Sequence, residues 1–178
     1  MSHILATAGS NSSTSINFQL VKYTTRLLGN REVELLELAK TEFPIFGEDL
    51  EKARGIPPEI SRLKEKIQQS SGLILSVNEH NGNPSAFFKN VLDWLSREDR
   101  RFFANRPVLL MSASTGKRGA ASSRAVVEEM IPKFGGKVIA TFSLPSYNEN
   151  FNPGSGIVNP DLAGAHKKAL QAFLSALN

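Results

Sequence analysis

Three stretches of this sequence concentrate side chains able to bind or polarise a ligand. The first, GSNSSTSIN (residues 9–17), gathers Ser10, Ser12, Ser15 and Asn17 where a helical pattern begins. Free N–H groups and the helix dipole favour an anion at such a place, and each hydroxyl or amide can add a hydrogen bond. A helix cap needs only one hydroxyl, so the surplus points to a bound anion. The second stretch, NEHNGN (78–83), and the third, STGKRG (114–119), are short, polar and glycine-bearing. Lys117 and Arg118 in the third are candidates to attract an anionic ligand, with a solvated loop tip as the alternative. His80 is a candidate proton donor, although a lone loop histidine is more often a surface or stacking residue. His3 and His166 read as structural or exposed. Phe43 and Phe46 read as core packing, or as walls for a ligand or a second subunit.

Several chemistries are absent from the pattern. The chain has no cysteine, which removes disulfides, thiolate nucleophiles and Cys-based metal sites. No GxSxG elbow is present for a serine hydrolase, and no metal-ligand spacing. The Gly116–Lys117 pair has Met111 where a P-loop requires its first glycine, and the GxGxxG dinucleotide fingerprint is missing. The net charge of +4 favours anionic partners or simple solubility. Its basic cluster SREDRRFFANR (96–106) is mixed with acids and carries no nucleic-acid motif. The start, MSHILATAGS, lacks a basic n-region, and no stretch approaches the roughly 18 apolar residues of a membrane span. The expectation is a cytoplasmic protein without nucleic-acid or membrane partners.

The elements that must carry these loops follow from periodicity and punctuation. HILATA (3–8) reads as a strand, and SINFQLVKYTTRLLG (15–29) as a helix ending at Gly29. VELLEL (33–38) reads as a second strand, and 39–58 as an irregular stretch. PEISRLKEKIQQS (58–70) reads as a helix with proline in its first turn. GLILSV (72–77) and PVLLMSAS (107–114) are apolar runs of the kind covered on both faces. Between them, 84–97 reads as a helix. A helix over 122–136 bends or ends near Pro132. KVIATFSL (137–144) is the last strand, 145–160 a loop, and 161–177 a terminal helix. Five strand–helix repeats predict one α/β domain over 1–178, with a parallel sheet and helices on both faces. Ligands then bind beyond the carboxyl ends of the strands, where the three polar stretches lie. On the helix at 84–97, Phe87, Phe88, Val91, Leu92, Trp94 and Leu95 cover an arc of roughly 160° at ~100° per residue. That exceeds the ~100° a single packed face needs, which predicts a second subunit on part of it.

GSNSSTSIN resembles the GSxRxxSxN loop of the NAD(P)H-dependent FMN reductase family. NEHNGNPSAFFKNVLDWLSR is similar to that family's PEYNGSxPGxLKNxxDWxSR segment, SASTGKRGA to its SxSxGxxGG loop, and FPIFGEDLE to its LPxYxxDxE segment. Order and spacing agree from Ala8 to about Gly136. The resemblance implies a flavodoxin-like three-layer sandwich with strand order 2-1-3-4-5, a homodimer or homotetramer, bound FMN, and NAD(P)H as co-substrate. Hydride would pass through the flavin N5 to small electron acceptors such as quinones, free flavin, azo compounds or chromate, with no side chain required as acid, base or nucleophile. By position, Ser10, Ser15 and Asn17, with Ser12 and Ile16, would hold the FMN phosphate. Asn78, Glu79, His80, Asn81 and Gly82 would lie along the isoalloxazine, mostly through backbone groups. Ser114, Thr115, Gly116 and Gly119 would close the ring pocket. Three departures from the family matter most: its loop arginine is Ser12, the proline before the glutamate is Asn78, and the tyrosine is His80. These bear on FMN affinity and acceptor choice. Two other functions compete, an electron carrier like flavodoxin and a flavin-free binding protein. The +4 charge and the form of the first loop argue against the carrier.

Overall fold

A computed structural model describes residues 3–177. Five strands, β1 (Ile4–Ala8), β2 (Val33–Leu36), β3 (Gly72–Val77), β4 (Pro107–Ala113) and β5 (Lys137–Leu144), form one parallel sheet in the order β2-β1-β3-β4-β5. This is the expected flavodoxin-like arrangement. Alternate residues of β1 divide between two cores, as the two-residue period of a strand requires. Ile4, Ala6 and Ala8 face α1 (Ile16–Arg26) and α7 (Pro160–Ser175), through Leu20, Val21, Leu170 and Phe173. Leu5 faces α3 (Pro58–Gln69) and α4 (Ala86–Glu98), through Ile60, Leu63, Val91 and Leu95. α5 (Ala121–Met130) adds Val127 to the second core. Burying both faces explains why β3 and β4 are near-continuous apolar runs.

The helix at 15–29 stops short of Gly29. The N–H groups of Leu27 and Leu28 turn back to the carbonyls of Thr24 and Thr25, three residues earlier, which tightens and ends the last turn. The stretch 39–58 holds a 3-10 turn at Leu38–Lys40 and a helix, α2 (Glu48–Arg54). None of α2's side chains is fully buried, so it leaves no apolar period to read. Near Pro132 the helix gives way to a 3-10 turn, Ile131–Phe134. The loop at 145–160 contains α6 (Tyr147–Asn150) and a small antiparallel pair, β6 (Phe151–Asn152) with β7 (Gly156–Ile157).

The wide apolar arc of α4 is filled from within the chain. Phe88, Val91, Leu92, Trp94 and Leu95 are each at most 4 % exposed. The segment after β2 folds over them. Asn90 Oδ1 accepts from Phe46 N–H at 2.7 Å, Asn90 Nδ2 donates to Pro44 O at 3.0 Å, and Trp94 Nε1 donates to the same carbonyl at 2.8 Å. Phe46 stands edge-on to Trp94, and Phe43 against Phe87. Breadth of the arc is therefore no evidence for a second subunit. Ile45, between those two phenylalanines in sequence, is 77 % exposed.

Candidate active site

All three polar loops stand at the carboxyl edge of the sheet, after β1, β3 and β4. The loop after β1 ends in a side-chain cap. Ser15 is the N-cap of α1, its hydroxyl accepting from Phe18 N–H at 3.2 Å. Ser10 is buried and accepts from Ser12 N–H at 3.3 Å. Ser12 and Thr14 are exposed, and their hydroxyls pair with each other. The first two helical N–H groups, those of Ile16 and Asn17, have no acceptor among the described residues. This is the donor set an anion needs at a helix start. Its charge comes from the backbone alone, since residues 9–17 carry no ionised side chain.

Asn17 occupies a different position from its neighbours. Its side chain is buried, donates from Nδ2 to Ala113 O at 3.1 Å, and accepts at Oδ1 from Ala113 N–H and Ser76 Oγ, both at 2.8 Å. It pins the start of α1 to the ends of β3 and β4. Its backbone N–H, rather than its amide, faces the helix entrance.

The loop after β3 is a tight hairpin. Asn81 and Gly82 have φ of 53° and 77°, the left-handed pair that an Asn-Gly turn supplies. The backbones of His80 and Asn83 exchange both hydrogen bonds, at 2.9 and 3.1 Å. Glu79 accepts from Ser123 N–H in the first turn of α5 at 3.1 Å, and Ser123 Oγ donates to Asn78 O at 2.7 Å. Glu79 thereby serves as a remote cap for α5. His80 is exposed, with Nε2 3.2 Å from Asn78 Nδ2. Asn78 Oδ1 is buried without a partner among the described residues.

The loop after β4 is braced from below. Ser112 Oγ donates to Gly119 O at 2.7 Å, so its oxygen accepts from Ser143 Oγ at 2.8 Å, which in turn accepts from Arg124 Nε at 2.9 Å. The polarised chain from a guanidinium to the Gly119 carbonyl strengthens each bond. Gly116 O accepts from Ser146 N–H, Ser114 O from Tyr147 N–H, and Ser114 Oγ donates to Gly116 O. Gly119 has φ of +60°, and a Cβ there would lie 2.7 Å from Leu144 C. Ala120 also takes a left-handed φ of 61°, where the family pattern has glycine. Thr115, Lys117 and Arg118 are exposed. The brace residues Ser76, Ser112 and Ser143 escaped the sequence reading. Each is a polar break near the end of an apolar strand, a signal that could have found them.

The remaining histidines lie elsewhere. His3 Nε2 approaches Glu34 at 3.2 Å. His166 is 1 % exposed and shares 2.8 Å with Thr24 Oγ1, and burial lowers its pKa to about 4, so it stays uncharged near neutrality. No cluster of His, Asp or Glu able to hold a metal occurs among the described residues.

A parallel five-stranded sheet in flavodoxin order, with a helix start at its carboxyl edge whose first N–H groups are unpaired among the described residues, defines a flavodoxin-like α/β protein. Residues 2–149 match the family model described as NADPH-dependent FMN reductase, and the chain belongs to that family. It is 29 % identical over 122 residues to the NAD(P)H-dependent FMN reductase of Pseudomonas aeruginosa, covering 68 % of this chain and 64 % of that protein. It is 27 % identical over 124 residues to a quinone reductase of Escherichia coli, covering 64 % and 66 %. The matched stretch thus spans just under two thirds of each relative. Among solved structures, a flavoenzyme NAD(P)H:(acceptor) oxidoreductase of Paracoccus denitrificans shares the fold with a TM-score of 0.79, at 22 % identity, over 99 % of this chain and 97 % of that one. Family and fold, as the sequence motifs implied them, are borne out. The residues present fit FMN by the chemistry of the first loop, where uncommitted N–H groups and hydroxyls suit a phosphate.

Proposed function

We propose that this protein, as a single domain over residues 1–178, is an FMN-dependent oxidoreductase. It would draw on NAD(P)H and reduce small acceptors such as quinones, free flavin, azo compounds or chromate. The observation that carries the reading is the helix start at Ile16, where two free N–H groups meet a cluster of hydroxyls. When bound, FMN supplies the redox chemistry, taking hydride from NAD(P)H and giving it to the acceptor. The chain supplies position. Ser10, Ser12, Ser15 and the N–H groups of Ile16 and Asn17 hold the phosphate. The rigid Asn81–Gly82 turn and the braced Ser114–Gly119 loop offer fixed backbone groups to the ring. Such preorganised dipoles stabilise developing charge without reorganising. Lys117 and Arg118 draw the anionic nucleotide towards the site.

A homodimer or homotetramer fits the exposed Ile45 beside Phe43 and Phe87, and the family resemblance supports it. A cytoplasmic setting suits a protein that consumes NAD(P)H. The test is turnover. Protein supplied with FMN should oxidise NAD(P)H when given a quinone, with ping-pong kinetics, because one site serves donor and acceptor in turn. Turnover no faster than free FMN, or converging double-reciprocal plots, would contradict the proposal.

A further inference from the structure

We propose that Asn78 is a positioning residue that directs the proton of the neutral His80 imidazole to Nδ1, so that His80 offers an Nδ1–H hydrogen-bond donor to the oxygen of the electron acceptor. This rests on the flavin reading above. Both residues stand where the chain departs from its family, which has proline and tyrosine in their places.

Geometry sets the tautomer. Asn78 is anchored through its carbonyl by Ser123 Oγ at 2.7 Å, and the adjacent Glu79 by Ser123 N–H. His80 is anchored by its paired backbone bonds to Asn83 across the left-handed Asn81–Gly82 turn. Between these fixed ends, Asn78 Nδ2 lies 3.2 Å from His80 Nε2. An amide nitrogen only donates, so Nε2 must be the bare nitrogen and a neutral ring carries its proton on Nδ1. Turning the amide over would place its NH2 where Oδ1 now sits, buried and without a partner. That would strand two donors in place of one acceptor, the costlier arrangement.

The outcome is an exposed imidazole at the carboxyl edge of the sheet, with Nδ1–H uncommitted among the described residues. A neutral histidine can polarise a carbonyl without giving up its proton. In quinone reduction NAD(P)H becomes NAD(P)+, and the quinone gains that hydride and one proton from water. His80 keeps its own proton and stabilises negative charge on the acceptor oxygen as it develops.

The experiment pairs tautomer with selectivity. Nitrogen-15 imidazole spectra in mildly alkaline buffer should show Nδ1–H at His80 in the wild type. In Asn78→Asp, whose carboxylate accepts instead, they should show Nε2–H. Asn78→Asp and His80→Phe should each lower kcat/KM for a quinone about tenfold, the worth of one hydrogen bond to developing charge. Turnover with ferricyanide, an outer-sphere one-electron acceptor, should fall less than turnover with the quinone. His80→Gln, whose amide can donate, should recover part of the quinone rate. Nε2–H in the wild type, or equal losses with both acceptors, would overturn the proposal and leave the flavin reading intact. A wild type that reduces neither acceptor would overturn the flavin reading, and the role of His80 with it.

Discussion

The loop after β1 and the loop after β4 stand at the same edge of the sheet and draw on the same residue types. In the first, the exposed hydroxyls of Ser12 and Thr14 pair with each other, Ser12 Oγ also accepting from Thr14 N–H, and the N–H groups of Ile16 and Asn17 have no acceptor among the described residues. In the second, the carbonyls of Ser114, Gly116 and Gly119 are each taken by a donor from the body of the protein. The first loop leaves helix-start N–H groups without an internal acceptor, whereas the second turns its carbonyls inward to hold its own shape. Composition alone does not separate the two. What separates them is whether the flanking strand ends carry polar partners, as β4 and β5 do at Ser112 and Ser143.

The largest expected effect lies in the braced loop. Gly119→Ala forces a side chain into a left-handed conformation and against the Leu144 backbone. It should cost about 3 kcal/mol, lowering the melting temperature by roughly 6–12 °C at this chain length. An unchanged melting curve would mean that the loop yields and its bracing is soft.

Asn17→Ala probes the boundary between the two behaviours. The side chain sits in the first loop's helix but serves the sheet, so its loss strands Ala113 N–H, Ala113 O and the Ser76 hydroxyl. Chemical denaturation should show about 2–3 kcal/mol of lost stability. Weakened FMN binding with stability intact would instead assign the amide to the cofactor.

The smallest effect belongs to the free loop. Ser12→Arg adds a full charge at an exposed position, where backbone dipoles count for only roughly half a charge. FMN titrated into apo protein should bind about tenfold more tightly, or ~1.4 kcal/mol, with the apo melting temperature unmoved. No gain would mean that another cation already serves the phosphate.

Strand order came from the family resemblance, whereas the parallel sheet and the places of the three loops were legible because β3 and β4 are buried on both faces and read as continuous apolar runs. The cap at Ser15 and the turn at Asn81–Gly82 follow local rules of a few residues, although the sequence reading singled out neither. What escaped was non-local. Asn17, Glu79 and Asn90 look like loop or surface residues in sequence, yet each meets partners more than forty positions away. The arc on α4 showed its width correctly, but not that residues 43–46 would cover it. Helix α2 was hidden because it buries no side chain completely.

The most direct test of the account is a comparison of FMN with riboflavin, which has the same ring and lacks the phosphate. If the start of α1 holds that phosphate through free N–H groups and hydroxyls, titration into apo protein should give FMN at least about 100-fold tighter binding, ~2.7 kcal/mol for two or more charge-assisted hydrogen bonds. Equal affinities for the two flavins would contradict the account and leave the hydroxyls of the first loop with no role beyond capping the helix.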